Sequence, residues 1–249
     1  MSKFQRTIMA LTLAVASAAS LAAPVKNIVL VHGFFADGSG WKGVADILTR
    51  DGFHVSVVQE PETSFADDVK ATTRVLDAVN GPSILVGHSY GGAVITEAGN
   101  HPQVAGLVYV AAFEPDAGES LKSLIAQMPP ASNAIKATAD GYLYIEESLF
   151  HADFAADLPA AEARFMAQSQ VMPAAEAAGA PVTQAAWKSK PSWAVVSTED
   201  RTVNPDLERF MAKRANSKVT ELKGSHVAFI AHPAAVAKVI EQAAAAAAN

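Results

Sequence analysis

Residues 84–99 read ILVGHSYGGAVITEAG. The apolar run Ile84–Val86 stops at Gly87, Ser89 follows among small residues, and a helical pattern begins at Gly92. A short apolar run closed by glycine reads as a buried strand, and the residues after the corner read as the start of a helix. Gly87-His88-Ser89-Tyr90-Gly91 fits G-x-S-x-G, a strand–turn–helix corner that lifts a serine hydroxyl above the end of a sheet. Side chains at the two glycines would collide with the neighbouring strand and helix. A serine at such a corner can also do no more than cap the helix. The corner carries chemistry only if the rest of the chain supplies a base, an acid and donors for a developing oxyanion.

Working outward, two textures alternate. Asn27–His32, Phe53–Val58, Ser83–Gly87, Gly106–Ala112, Trp193–Thr198 and Lys218–Leu222 read as strands, most of them short, rich in Val, Ile and Leu, and apolar on both faces. Between them lie helical patterns at Trp41–Thr49, Phe65–Val79, Gly92–Asn100, Asp206–Ala215 and Ala234–Ala247. Strand–helix alternation predicts an α/β fold, a doubly wound and mainly parallel sheet of six strands. Ligands bind such sheets beyond the carboxyl ends of the strands, which is where Ser89 lies. The alternation breaks between Phe113 and Pro191. That stretch shows no convincing buried strand and is cut into helical pieces by Pro129, Pro130, Pro159, Pro173 and Pro181. The predicted organisation is a core of residues 23–112 and 192–249 with a helical cap insertion at 113–191. The alanine-rich run Gln242–Ala248 is expected to fray.

Half of the 249 residues are hydrophobic and 18% are charged, which suits one globular core. A net charge of −6 with no dense Lys or Arg run argues against nucleic-acid binding. There is no cysteine, so disulfides and thiol catalysis are excluded. The N-terminus has Lys3 and Arg6, an apolar stretch Ile8–Val15, and Ser20-Leu21-Ala22 with small residues at the −3 and −1 places. This is the plan of a secretory signal at residues 1–22. The apolar stretch is too short for the ~20 residues of a membrane span. The expected location is periplasmic or secreted, with no stable membrane association after cleavage.

A serine hydroxyl needs a base to take its proton as it attacks. Among the seven histidines, His226 in Gly224-Ser225-His226-Val227 directly follows the last strand. The base needs a carboxylate to fix its tautomer. Asp200 follows the fifth strand, and Asp116, after the fourth, is the rival. The order Ser…Asp…His favours Asp200. Oxyanion donors are available as the backbone N–H groups of Tyr90, after the nucleophile, and of Phe34 in His32-Gly33-Phe34-Phe35. The side chains of Phe34, Phe35, His88, Tyr90 and Phe113 are candidate pocket walls. This chemistry requires no metal and no other cofactor.

VLVHGFFADGSGW, LVGHSYGG, GLVYVAAFEPDAGES, EDRTVNP and GSHVAFIAHP together resemble the α/β-hydrolase superfamily. The chain is most similar to small bacterial serine esterases of that type, themselves similar to plant methylesterases and hydroxynitrile lyases. The resemblance implies Ser89 as nucleophile, His226 as base, Asp200 as acid, Phe34 and Tyr90 as oxyanion donors, and 113–191 as a cap over the site. It implies hydrolysis of small, fairly apolar carboxylic esters through an acyl-enzyme, the partner being a small-molecule ester. The alternatives are a cofactor-free haloperoxidase, a C–C lyase on the same residues, or a non-catalytic binding protein. One plant lyase branch carries Thr where Gly33 stands and Lys where Val227 stands, so the lyase reading lacks both markers.

Overall fold

The computed structural model describes residues 25–247, so the signal expected at 1–22 lies outside the described residues. The chain runs β1 (Asn27–Val31), α1 (Lys42–Arg50), β2 (His54–Val57), α2 (Phe65–Ala78), β3 (Ser83–His88), α3 (Gly91–Ala98) and β4 (Val104–Val110). The next stretch holds α4 (Leu121–Gln127), β5 (Ile135–Ala137), β6 (Leu143–Ile145), α5 (Glu147–Asp153), α6 (Ala160–Gln168) and α7 (Ala175–Gly179). It ends with β7 (Ser192–Ser197), α8 (Pro205–Arg214), β8 (Lys218–Leu222), α9 (Ala228–Ala231) and α10 (Pro233–Ala246).

Six strands form one sheet in the order β2-β1-β3-β4-β7-β8, every neighbouring pair parallel. The inner strands β3 and β7 are buried throughout because helices cover both faces. The outer strand β8 exposes Lys218, Val219, Thr220 and Glu221, and its charges discourage pairing with another chain. The order reverses between β1 and β3, the switch point at which doubly wound sheets open a crevice. Ser89 leaves β3 at that crevice. Among the described residues, no helix is long and apolar enough to cross a membrane.

Two expectations are corrected. The stretch between β4 and β7 is not wholly helical: β5 and β6 pair antiparallel, Ile135 opposite Ile145 and Ala137 opposite Leu143. Three-residue strands are too short to show a period of two, and β5 is exposed throughout, so no apolar run marks it. The alanine run at the C-terminus also does not fray through its first turns. The last helix, α10, continues to Ala246, with Ala243 and Ala244 buried. The Ala244 carbonyl accepts the Val25 N–H at 3.2 Å. Small side chains let this helix pack closely, which composition alone does not reveal.

Candidate active site

Ser89 sits at φ +53°, in the left-handed region that side chains disfavour. Such a residue costs about 1–3 kcal/mol and persists only where its surroundings hold it. Here its N–H donates to Val110 O on β4 (3.2 Å), and its carbonyl accepts Gly92 N–H (3.0 Å) and Phe113 N–H (3.1 Å). The corner can be this tight because Gly87 and Gly91 have no side chains. A Cβ at Gly87 would lie 2.5 Å from Gly91 O, and one at Gly91 would lie 2.3 Å from His32 O.

The loop after β8 brings His226 to this corner, with Nε2 2.8 Å from Ser89 Oγ. On the other side of the ring, Nδ1 is 2.6 Å from Asp200 Oδ2, in the loop after β7. A carboxylate only accepts, so Nδ1 carries the hydrogen and Nε2 presents its lone pair to the serine hydroxyl. Asp200 Oδ1 accepts the N–H groups of Thr202 (2.7 Å) and Val203 (2.9 Å), which fixes the carboxylate plane. Ser89 is 6% exposed, Asp200 4% and His226 0%, so little water screens the line. Asp116 lies elsewhere: it pairs with Lys188 and accepts the Ala117 N–H.

Neither Phe34 nor Tyr90 donates its N–H to a backbone carbonyl among the described residues. Their rings stack at 3.8 Å and 16°, which ties the two loops together. The Tyr90 hydroxyl donates to Asp68 Oδ2 (2.6 Å), and Asp68 Oδ1 accepts the Glu62 N–H (2.8 Å). His32 accepts the Glu60 N–H at Nε2 (2.9 Å), so its Nδ1–H faces Gly33 O (3.1 Å) and Glu62 Oε1 (3.4 Å). Burial pushes the Glu62 carboxyl up to about 7 and that of Glu60 well above its usual range. The loops of Phe34 and Tyr90 thus rest on a buried polar layer made by His32 after β1, Glu60 and Glu62 in the loop between β2 and α2, and Asp68 in the first turn of α2.

A cleft of about 400 Å³ opens between the loop after β1, α6 and α9. Phe35, Phe165, Met166, Phe229 and Ile230 supply apolar wall, and His88 and Val227, the chain neighbours of Ser89 and His226, also line it. Of the expected wall residues, Phe35 and His88 line this cleft. Phe34, Tyr90 and Phe113 do not; all three are buried in the core. Phe34 and Tyr90 spend their rings on each other, while Phe113 lies three residues past the end of β4, its carbonyl close to Gly92 of α3.

Several residues at the site carry no signal in the sequence. The Phe154 ring, at the end of α5, packs 5.0 Å from the His226 ring. Asp157 accepts the Ser225 N–H (2.9 Å) and the Ser225 hydroxyl, next to His226. Arg201 Nε donates to Asp153 Oδ1 (2.7 Å) and Thr202 Oγ1 to Asp153 O (2.9 Å), next to Asp200. One stretch between β4 and β7 therefore grips both loops. Glu208 on α8 is buried, and burial, with the Asp200 charge second, holds its carboxyl well above the usual range. Both causes disfavour a second negative charge beside Asp200. Among the described residues, no group of three or more His, Cys, Asp or Glu is arranged to hold a metal ion.

The alpha/beta hydrolase family model matches residues 28–239. A carbendazim hydrolyzing esterase from Nocardioides sp. (strain SG-4G) is 35% identical over 124 residues, 43% of this chain and 51% of that protein. The match thus spans about half the length of that curated relative. The crystal structure of a pyrethroid hydrolase from Sphingobium faniae JZ-2 superposes with a TM-score of 0.76 at 21% identity, covering 88% of this chain and 96% of that one. A methylesterase from Arabidopsis superposes with a TM-score of 0.75 at 17% identity, covering 88% and 98%. At those identities the two superpositions speak for the fold alone. The family match runs from β1 into α10 and takes in the whole sheet, so this chain belongs to the alpha/beta hydrolase family.

Proposed function

We propose that this protein is a serine carboxylesterase acting on small, fairly apolar esters. One observation carries the reading: the unbroken line from Ser89 Oγ through the His226 ring to Asp200 Oδ2, at 2.8 and 2.6 Å. Ser89 Oγ attacks the ester carbonyl carbon as its proton passes to His226 Nε2. Asp200 stabilises the imidazolium that forms. The carbonyl oxygen, now carrying the charge, accepts the N–H groups of Phe34 and Tyr90. Collapse expels the alcohol, which takes the proton from His226, and leaves an acyl group on Ser89. A water molecule then attacks under the same base and releases the acid and free Ser89.

The apolar wall of the cleft supports the preference for apolar substrates. The name of the 35%-identical relative, a carbendazim hydrolyzing esterase, supports hydrolysis. The residues of the N-terminus support export with cleavage after Ala22. Mass spectrometry of the exported chain checks this, and a first residue other than Ala23 refutes that cleavage site.

A fluorophosphonate probe tests the reading, because it reacts with a serine only where a base has activated it. The wild type is expected to be labelled and to turn over p-nitrophenyl acetate and butyrate. Ser89→Ala is expected to lose both. Equal labelling of the two proteins removes Ser89 from the role.

A further inference from the structure

The proposed reaction leaves the buried carboxyls behind the oxyanion turn unused. Glu62 is wholly buried, and neither of its carboxyl oxygens has a hydrogen-bond partner among the described residues. Its backbone stands at φ +54°, in the left-handed region that side chains disfavour. Such a residue persists only where its surroundings hold it. Here the Glu62 N–H donates to Asp68 Oδ1 on α2 (2.8 Å), and its carbonyl accepts the Ala174 N–H ahead of α7 (2.9 Å). The fold thus fixes an unpaired carboxyl in its interior. Buried polar groups are seldom left unpaired, and each exception calls for an explanation.

The position of the carboxyl supplies one. Glu62 Oε1 lies 3.4 Å from His32 Nδ1, whose hydrogen goes to Gly33 O at 3.1 Å. That oxygen belongs to the Gly33–Phe34 peptide, and the N–H of the same peptide is the Phe34 oxyanion donor. A trans peptide is planar and points its C=O and N–H opposite ways, and among the described residues no peptide is cis. Holding Gly33 O from behind therefore aims the Phe34 N–H forward. Gly33 itself stands against the nucleophile, since a Cβ there would lie 2.6 Å from Ser89 Cβ. Because Nε2 of His32 accepts the Glu60 N–H, the ring has a single hydrogen to give, on Nδ1. Gly33 O and Glu62 Oε1 compete for it.

We infer that Glu62 is a positioning residue for the oxyanion hole: on losing its proton it draws the His32 Nδ1 hydrogen away from Gly33 O, which loosens the Gly33–Phe34 peptide and slows acyl transfer. This rests on the esterase reading and adds a control on its alkaline side. A hydrogen bond to a carboxylate is about twice as strong as one to a neutral acceptor, so ionisation decides the competition. Burial raises the Glu62 carboxyl to about 7; the His32 ring draws it down, and Asp68 on α2 and Asp37 in the loop after β1 add to the rise. Glu60, on the same loop, is held well above its usual range by burial and by the charges of Asp68 and Glu62. Tyr90, at the start of α3, also faces both glutamates and gives its hydroxyl hydrogen to Asp68. The sign follows from the raised value. At lower pH Glu62 keeps its proton and His32 holds Gly33 O; at higher pH the carboxylate takes the hydrogen and the donor peptide is released.

The test sets the pH profile of the wild type against that of Glu62→Gln, which cannot ionise, on purified protein with p-nitrophenyl butyrate and with spontaneous hydrolysis subtracted. His226 is common to both proteins, so its own pH dependence cancels in the ratio. Losing an oxyanion donor outright costs about 10²–10³-fold, and a loosened one should cost less: the kcat ratio of wild type to Glu62→Gln is expected to fall by about tenfold between about pH 5.5 and about pH 9, with the KM ratio steady. Glu60→Gln, whose own carboxyl does not pair with His32, should fall as the wild type does. Should Glu62→Gln fail to fold, Glu62→Leu serves in its place. A ratio constant within about twofold overturns the inference, and so does a fall that accompanies loss of the near-ultraviolet circular dichroism. A second reading needs no turnover. In the proton NMR spectrum the His32 Nδ1 hydrogen, identified by its loss in His32→Gln, should move downfield as pH rises through about 7 in the wild type and stay in place in Glu62→Gln. A signal that ignores pH in both proteins also overturns the inference. Absence of ester turnover at every pH sinks the esterase and leaves the ring hydrogen to decide whether Glu62 competes for it. Turnover with a level ratio sinks only the role of Glu62.

Discussion

Asp200→Asn is expected to lower kcat by about 10⁴-fold while the protein stays folded. The reason lies in which oxygen does what. Oδ1 accepts two backbone N–H groups, from Thr202 and Val203, and Oδ2 accepts from His226 Nδ1. An asparagine keeps its one oxygen on the two backbone donors, because the reverse would set N–H against N–H. Its NH₂ then faces His226 Nδ1. The imidazole must turn a lone pair to that amide and move its hydrogen to Nε2, where it meets the Ser89 hydroxyl and can no longer take a proton. Asp116→Asn is the control: Asp116 pairs with Lys188, away from the imidazole, so kcat should change little. Steady-state kinetics on p-nitrophenyl butyrate with circular dichroism on each variant make the comparison. A larger drop for Asp116→Asn than for Asp200→Asn would move the acid to the end of β4.

The second large effect is on stability. Gly91→Ala is expected to cost about 3 kcal/mol or more, the upper range for forcing extra atoms into a packed interior. The added Cβ would lie 2.3 Å from His32 O and 2.9 Å from Val31 O. Both obstacles are backbone atoms at the carboxyl end of β1 and cannot swing aside as a long side chain can. Relief requires α3 to lift from the sheet. That motion would disturb Tyr90 at the start of α3 and the turn that carries Phe34, so activity should fall with stability. Gly179→Ala is the control: a Cβ there meets nothing within 4 Å, and alanine suits the end of α7 better than glycine. Thermal melting should show Gly91→Ala lower by roughly 10 °C, on the usual scale for a chain of this length, with Gly179→Ala unchanged or slightly raised. Equal melting of Gly91→Ala and the wild type would mean that the corner is looser than described.

Much of the frame was legible before any coordinates. Most of the six runs are rich in Val, Ile and Leu, and with the helical periods between them they specify a parallel sheet, because only a strand covered on both faces can be apolar throughout; the two edge strands, His54–Val57 and Lys218–Leu222, are the more exposed ones. The elbow glycines mark a close approach of backbones in one dimension as clearly as in three. Residues just past strand ends fall on one rim of such a sheet by topology, which is why Ser89, Asp200 and His226 could be named together and why they meet.

What stayed hidden depends on contacts between segments whose separation along the chain has no period. The hairpin of β5 and β6 is too short to announce itself. In the sequence Phe34, Tyr90 and Phe113 suit a pocket wall, being aromatic residues beside a nucleophile; only packing shows that two stack on each other and the third is buried in the core. That Phe154 meets His226 and that Asp157 grips Ser225 follow from how the inserted stretch lies across two distant loops. Local sequence determines strands, corners and the order of strand ends, since those obey short-range sterics and burial. Which side chains face each other across the crevice was decided only when the whole chain closed on itself.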